Sequence, residues 1–387
     1  MVDTLQLKRD FLSVFGEGCN PIKFVKAPGR INLIGEHTDY NNGFVLPVAI
    51  DRFIFIAGRK REDERIFIHA GDRGEEIQRS LRGIFPRSNP KWADYLLGVF
   101  KFLREENYPV KGAEIFFRGD IPVGKGLSSS AALEVATCYF LSVLFDFAIE
   151  PIRMAELCQR VENEFVGMPC GIMDQFVSLL GRKESALFLD CRDLKFSYVP
   201  VESSSIDIMI ADSGVKRELT ASPYKKRKNE CEIAVKLLKR VASYISSLRD
   251  LTMEVFGKYE DSLPETLKKR VRHVVGENER VNRSVEYLKA GEMEKFGQLM
   301  YESHASLRDD YEVSCRELDA LVDSAISCEG VLGSRMTGAG FGGSTVSMVR
   351  KEKSEEVREI IGKEYYKKTG LVADIYICKI VDGVGEM

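Results

Sequence analysis

Residues 122–136 read PVGKGLSSSAALEVA. Two glycines and three hydroxyls stand directly ahead of a run of Ala, Leu and Glu, so a turn-rich loop is expected to open into a helix. Glycines admit close backbone approach, and a helix start offers unpaired N–H groups and a favourable dipole. The loop is a ready anion site with a polyphosphate as its natural guest, although a Gly-rich turn capped by serine reads the same way. It is not a P-loop, because the GK that follows four spacer residues in that motif is absent. The continuation AALEVATCYFLSVLF (131–145) has the apolar face of a buried helix.

Working outward, residues 23 to about 80 are rich in β-branched and aromatic residues punctuated by Gly, Asn and Pro, which predicts antiparallel strands and turns. WADYLLGVFKFLREEN (92–107) has helical apolar spacing, and AEIFFRGD (113–120) reads as a strand. Helices are expected at about 151–166 and 171–181, with strands near ALFLD (186–190) and IDIMIAD (206–212). From Ser222 to about 330 the pattern is charged amphipathic helix. LGSRMTGAGFGGSTVSMV (332–349) then leads into a strand, a helix at 353–368 and a last strand, ADIYICKI (373–380). The fold class is α+β with mixed sheets and helices. At roughly 150 residues per domain, 387 residues predict two, placed at 1–200 and 201–387.

Composition narrows the function. With 56 Lys and Arg against 59 Asp and Glu, the net charge is −3, so no global positive field exists to gather nucleic acid. Hydrophobic residues at 44% and aromatics at 10% exclude a disordered chain. The nine cysteines have no CxxC or comparable metal spacing, which reads as reduced thiols and a cytoplasmic protein. MVDTLQLKRDFLSVFG at the start is broken by Asp3, Lys8, Arg9 and Asp10 and reads as a short amphipathic helix rather than a signal peptide. No apolar run approaches 18 residues, which excludes a membrane span.

Five further segments bear on the chemistry. RINLIGEHTDY (30–40) packs Arg30, Glu36, His37 and Asp39 between two hydrophobic strands, a donor and acceptor set suited to a polyhydroxylated ligand, though a polar surface turn has the same composition. Asp174 sits among apolar neighbours in CGIMDQFVSLLG (170–181), where an ionised carboxylate needs a partner or a task, with helix capping as the alternative. Glu162 in RVENEF reads as a solvated helix residue unless a cation lies near it. GAGFGG (338–343) satisfies GxGxxG, but the strand pattern after it refuses a dinucleotide fold, and a backbone passing close to another loop explains its glycines better. KKRK (225–228) reads as a solvated helix face.

Taken together, these strings carry a resemblance. KAPGRINLIGEHTDYNNGFVLPVAI (26–50) is similar to the signature of galactokinases. PVGKGLSSSAALEVA resembles the phosphate loop, and SRMTGAGFGGSTV (334–346) the third motif, of the wider superfamily of galactokinase, homoserine kinase, mevalonate kinase and phosphomevalonate kinase. ENEFVGMPCGIMDQ (162–175) resembles the galactokinase segment that carries the catalytic aspartate. The resemblance implies a two-domain sugar-kinase fold with its active site between the domains, and ATP-dependent phosphorylation of α-D-galactose at the anomeric hydroxyl. It makes Asp174 the base and Arg30 its partner, and gives sugar binding to Glu36, His37, Thr38, Asp39, Tyr224 and the backbone near Gly171. Gly124, Lys125, Gly126, Leu127, Ser128, Ser129 and Ser130 would wrap the phosphates of ATP, and Ser130 and Glu162 would ligate Mg²⁺. Two departures stand out: Lys125 where relatives usually have a small residue, and Ser344 where many have Cys. The rivals are a same-fold kinase for another sugar, such as N-acetylgalactosamine or arabinose, and a catalytically silent galactose sensor. The expected partners are galactose and ATP, with neither nucleic acid nor membrane, in a monomer or weak dimer.

Overall fold

The two apolar runs of the galactokinase-like signature pair with each other. Lys23–Asn32 and Pro47–Lys60 form an antiparallel ladder that sets Val25 opposite Ile56 and Arg30 opposite Ala49, with a register shift between Pro28 and Gly29. Proline cannot donate to a ladder, and an irregularity of this kind re-aims the side chains that follow it. Just beyond it, Arg30 N donates to Leu127 O of the phosphate loop at 3.2 Å.

The computed structural model describes residues 3–83, 90–215 and 222–387. In it this pair lies inside a six-stranded sheet, ordered Gly385–Glu386, Lys23–Asn32, Pro47–Lys60, Ala113–Gly119, Arg65–Ala70 and Glu75–Ser80. Every pairing is antiparallel except that of Arg65–Ala70 with Ala113–Gly119. The helix Thr4–Phe15, capped by Asp3, lays Leu7 and Phe11 against Phe55 and Phe116 on one face of the sheet. Helices Ala93–Glu105, Ser129–Phe145, Pro151–Arg160 and Met173–Leu180 join the sheet in the main hydrophobic core. Ser129–Phe145 is apolar nearly all round and buried nearly all round, as such a helix must be.

One expected helix is divided. The stretch 151–166 is α-helical over Pro151–Arg160 and then widens into a π-helical turn, Val161–Val166, which carries Glu162. Single π-helical turns often mark functional positions.

The C-terminal half holds a four-stranded antiparallel sheet ordered Val331–Thr337, Ser344–Arg350, Ile206–Asp212 and Asp374–Cys378. The long helices Ser222–Val241, Glu265–Ala290 and Met293–Asp309 accompany it. The chain then returns to its beginning, for Gly385–Glu386 is the edge strand beside Lys23–Asn32. All nine cysteines are free thiols. Among the described residues no helix is long and apolar enough to cross a membrane.

Candidate active site

A cavity of about 360 Å³ is enclosed by the phosphate loop, the turn after the first signature strand, the start of Met173–Leu180, the start of Ser222–Val241 and the glycine turn 338–341. Its lining includes Arg30, Glu36, His37, Asp39, Gly124, Gly126, Leu127, Ser128, Ser129, Ser130, Glu162, Gly171, Asp174 and Tyr224. Residues as far apart in sequence as Arg30 and Phe341 thus contribute to one cavity. Two of the expected residues do not line it. Thr38 is fully buried behind the turn, its hydroxyl near Gly35 O and Phe44 O at 2.8 and 2.6 Å, where it shapes the backbone. The Lys125 side chain turns away to Asp212.

At the centre, Arg30 meets Asp174 two-pronged: Nε donates to Oδ1 and Nη2 to Oδ2, each at 2.7 Å. Ser128 Oγ donates to the same Oδ2, and Arg30 Nη1 donates to Gly126 O at 2.7 Å. One guanidinium thereby connects the carboxylate to the phosphate loop. Burial opposes its charge, but Asp174 and the nearby Glu36 and Asp39 outweigh burial and raise its pKa. Asp174 is not the helix cap: Ile172 holds that position, and Asp174 lies in the first turn.

The end beside the signature turn is acidic and aromatic. Glu36 accepts from Thr337 Oγ1 at 2.9 Å and Gly338 N at 2.8 Å, with Asn32 Nδ2 at 3.2 Å on its other oxygen. Burial, aided by the negative charge of Asp174, pushes Asp39 up to about 7. A Cβ on Gly171 would come within 1.7 Å of Asp39 Oδ2, so only glycine lets these two segments meet. Burial and the positive charges around it keep His37 neutral, and its ring packs against Tyr40, Tyr224 and Tyr311. Glycines 338–343 behave as a close-approach backbone: a Cβ on Gly340 would meet Val313 O at 2.2 Å.

At the other end, Ser130 Oγ lies 3.1 Å from Glu162 Oε1, and Gln175 Nε2 donates to both Glu162 and the buried Glu134. Burial first and Asp174 second raise Glu162 to about 7. Its carboxylate is therefore no solvated helix group. The expectation for KKRK is corrected in part as well. Lys225 and Lys226 are exposed, but Arg227 is buried and donates to Tyr311 O at 2.7 Å and Glu312 O at 2.9 Å. An arginine so placed ties the first turns of Ser222–Val241 to the backbone at residues 311–312.

Family models match three regions that contribute to this cavity: the galactokinase galactose-binding signature over residues 9–60, the GHMP kinases N terminal domain over 94–182, and the GHMP kinases C terminal domain over 284–368. The galactokinase of Roseiflexus sp. (strain RS-1) is 46% identical over 387 residues, covering 100% of this chain and 98% of the relative. The chain belongs to the galactokinase family. It is a kinase by that membership. The galactokinase of Thermotoga maritima is 42% identical over 363 residues, covering 94% of this chain and 99% of its own. The crystal structure of Lactococcus lactis galactokinase complexed with galactose matches with a TM-score of 0.95 at 38% identity, covering 98% of this chain and 99% of that one. The mevalonate kinase of Methanococcus jannaschii, at a TM-score of 0.67 and 22% identity, shares the fold.

Several residues of this galactokinase-family site escape sequence reasoning. Fully buried Glu277 accepts from Gly35 N at 2.9 Å, Glu36 N at 3.3 Å and Ser303 Oγ at 2.6 Å, and so holds the signature turn from behind. Burial would raise its pKa, but Arg280, His273 and Arg335 hold it at about 2. A signal was there: Glu277 stands three residues after Val274 and four before Val281, on the apolar stripe of its helix. Tyr40 and Tyr311, hydroxyl to hydroxyl at 2.8 Å behind His37, had no such signal.

Proposed function

We propose that this chain transfers the γ-phosphoryl group of ATP to the anomeric hydroxyl of α-D-galactose, giving galactose 1-phosphate and ADP. The observation that carries the reading is the two-pronged Arg30–Asp174 pair set beneath the phosphate loop and beside a galactose-binding signature. Glu36, His37, Asp39 and Tyr224 grip the sugar hydroxyls, with the backbone at Gly171 beside Asp39. The backbone of residues 124–130 wraps the phosphates, taking up their charge on loop amides and the helix start.

A sugar hydroxyl is far too weak an acid to be ionised by a carboxylate in advance. Phosphoryl transfer passes through a loose transition state that asks more for alignment than for a strong base. Asp174 orients the hydroxyl and receives its proton as the new oxygen–phosphorus bond forms and the bond to the ADP oxygen breaks. Arg30 holds both oxygens of the carboxylate and, through Gly126 O, fixes their position relative to the loop.

Ser130 and Glu162 are hard oxygen donors suited to Mg²⁺. Glu162 forms no ion pair among the described residues, and a cation beside it would relieve the strain that raises its pKa. Among those residues no cluster of three or more His, Cys, Asp or Glu could hold a metal alone, so phosphate oxygens and water would complete the shell. When bound, Mg²⁺ supplies charge neutralisation to the phosphates. The cysteines and the absence of a spanning helix among the described residues favour a cytoplasmic setting.

The test is galactose-dependent ADP release measured against glucose, N-acetylgalactosamine and arabinose, with the product's phosphate located by phosphorus NMR. A site built around one set of hydroxyls leaves polar groups unpaired with an epimer, so glucose should be a very poor substrate. Equal kcat/KM for glucose and galactose would overturn the sugar assignment, and phosphate at another carbon would overturn the position.

A further inference from the structure

The phosphate loop is fastened to both halves of the molecule. On the N-terminal side Arg30 holds Gly126 O, and Ser128 holds Asp174. On the other side a single residue is held twice. Ser344 Oγ donates to Lys125 O at 2.7 Å, and the Lys125 ammonium forms an ion pair with Asp212, with Asp374 Oδ2 4.0 Å away. Ser344 and Asp374 are the register partners of Asp212 on its two neighbouring strands, so the anchor is the end of a sheet rather than another loop. Asp212 is fully buried, and Lys125 is the cation paired with it among the described residues. Removing one partner of a buried pair is far costlier than never having the pair.

The position of Lys125 in the loop matters as much as its partners. It stands between Gly124 and Gly126, both left-handed at φ 78° and 82°, so the backbone around it has little intrinsic preference of its own. Gly124 and Gly126 line the cavity, while Lys125 points out of it. The two residues that set this sequence apart from the family pattern, Lys125 and Ser344, thus touch each other.

We propose that Lys125 is a positioning residue for the nucleotide: with Ser344 and Asp212 it latches the phosphate loop to the C-terminal sheet and sets ATP affinity through the loop's shape, without touching phosphate. Fixing the middle of a two-glycine loop ahead of binding removes an ordering cost that ATP would otherwise bear. The inference rests on the kinase reading of the site.

The experiment is calorimetric ATP binding without sugar, together with steady-state kinetics for both substrates, on the intact chain and on Lys125→Ala, Lys125→Arg, Asp212→Asn, Ser344→Ala and the Lys125→Ala/Asp212→Asn double variant. Lys125→Ala and Asp212→Asn are each expected to weaken ATP about tenfold, with kcat and the KM for galactose held within about twofold. The double variant should be no weaker than the worse single variant, because both remove the same latch. Lys125→Arg should keep near-normal binding. If Lys125 instead contacts phosphate, Asp212→Asn frees the ammonium and tightens ATP, and Lys125→Ala costs as much in that background as alone; either result overturns the latch. Should Lys125→Ala not fold, Ser344→Ala and the double variant leave no buried unpaired charge, and unchanged ATP affinity in both would overturn it equally. Failure of the kinase reading is seen separately, as no galactose-dependent ADP release by the unaltered chain.

Discussion

Asp174 differs from the other carboxylates of the cavity in having a guanidinium nitrogen on each of its oxygens. Asp174→Asn keeps the size and the loop contact but cannot accept a proton, so the protein should fold and bind ATP while kcat falls by roughly 10²- to 10⁴-fold, the usual weight of a positioned base. A variant that keeps half the wild-type kcat would remove Asp174 from its role. Asp39 supports a prediction of a different kind. Burial and Asp174 hold it at about 7 against an ordinary value of 3.8, so between these values the folded chain keeps a proton that the unfolded chain has released. Stability from this group is therefore fully present below the lower value and is lost as pH rises through the higher one. Asp39→Asn removes that loss. In melts without sugar, the melting temperature of the variant relative to the wild type should climb between about pH 4.5 and about pH 8. Parallel curves would show that Asp39 carries an ordinary pKa. The sequence made Asp174 legible because a charge among apolar neighbours demands a partner. It could not make Thr38 legible, since a threonine that shapes a turn and one that binds a sugar read alike.

Among the elements, the strands and the loop-bearing helix were legible from period and composition. The glycine turn 338–343 was legible too, because a strand pattern after it ruled out a nucleotide fingerprint. The break at Arg160, where α-helix gives way to a π-helical turn, leaves no mark in apolar spacing, since its buried Val161 and Phe165 stand four residues apart as they would in an α-helix. The helix Glu265–Ala290 illustrates what tertiary packing adds. Its polar residues look solvated in composition, yet Glu277, Asn278 and His273 are buried and bind the backbone of the signature turn: Glu277 at Gly35 and Glu36, Asn278 Oδ1 at Phe44 N, and His273 at Glu36 O. This helix is a clamp on the signature turn, the end of the site proposed to hold sugar. Glu277→Ala leaves Arg280 without its buried carboxylate, leaves Arg335 with Glu36 alone and strips two turn amides of an acceptor. It should cost about 3–5 kcal/mol of stability, as breaking a buried pair does, and raise the KM for galactose more than that for ATP. Chemical denaturation and kinetics check both parts, and a loss under about 1 kcal/mol would show that the clamp is slack.

At the scale of the whole molecule, the cavity is lined by Arg30 of the six-stranded sheet and by Gly338 at the end of the four-stranded one, and the halves that hold these sheets are joined by more than the chain between them. After Asp374–Cys378 finishes the four-stranded sheet, the chain crosses to the first sheet. Lys379 N donates to Asp51 Oδ1 at 3.0 Å, Val381 N to Ala49 O at 3.1 Å, Gly383 N to Gly181 O at 2.8 Å and Val384 N to Ser178 O at 2.9 Å. Val25 and Lys26 then gain Glu386 and Gly385 as ladder partners. These contacts cover the edge of the strand that carries Arg30 and brace the segment that follows Met173–Leu180, on which Asp174 sits. An exposed edge strand is a liability, and a segment bonded to one half and covalently continuous with the other couples their unfolding. Deleting residues 380–387 should lower the melting temperature by roughly 2 to 8 °C, the shift that a loss of about 1–2 kcal/mol gives in domains of about 200 residues. The intact chain should melt in one calorimetric transition and the truncated chain in two, with the half that holds the phosphate loop melting first because it alone has lost an edge strand. With galactose and ATP placed at the seam as proposed, both would stabilise only the joined state, so adding them to the truncated chain should draw the two transitions back together. A single transition at the wild-type temperature would show that the returning tail decorates the first sheet without holding the halves to each other.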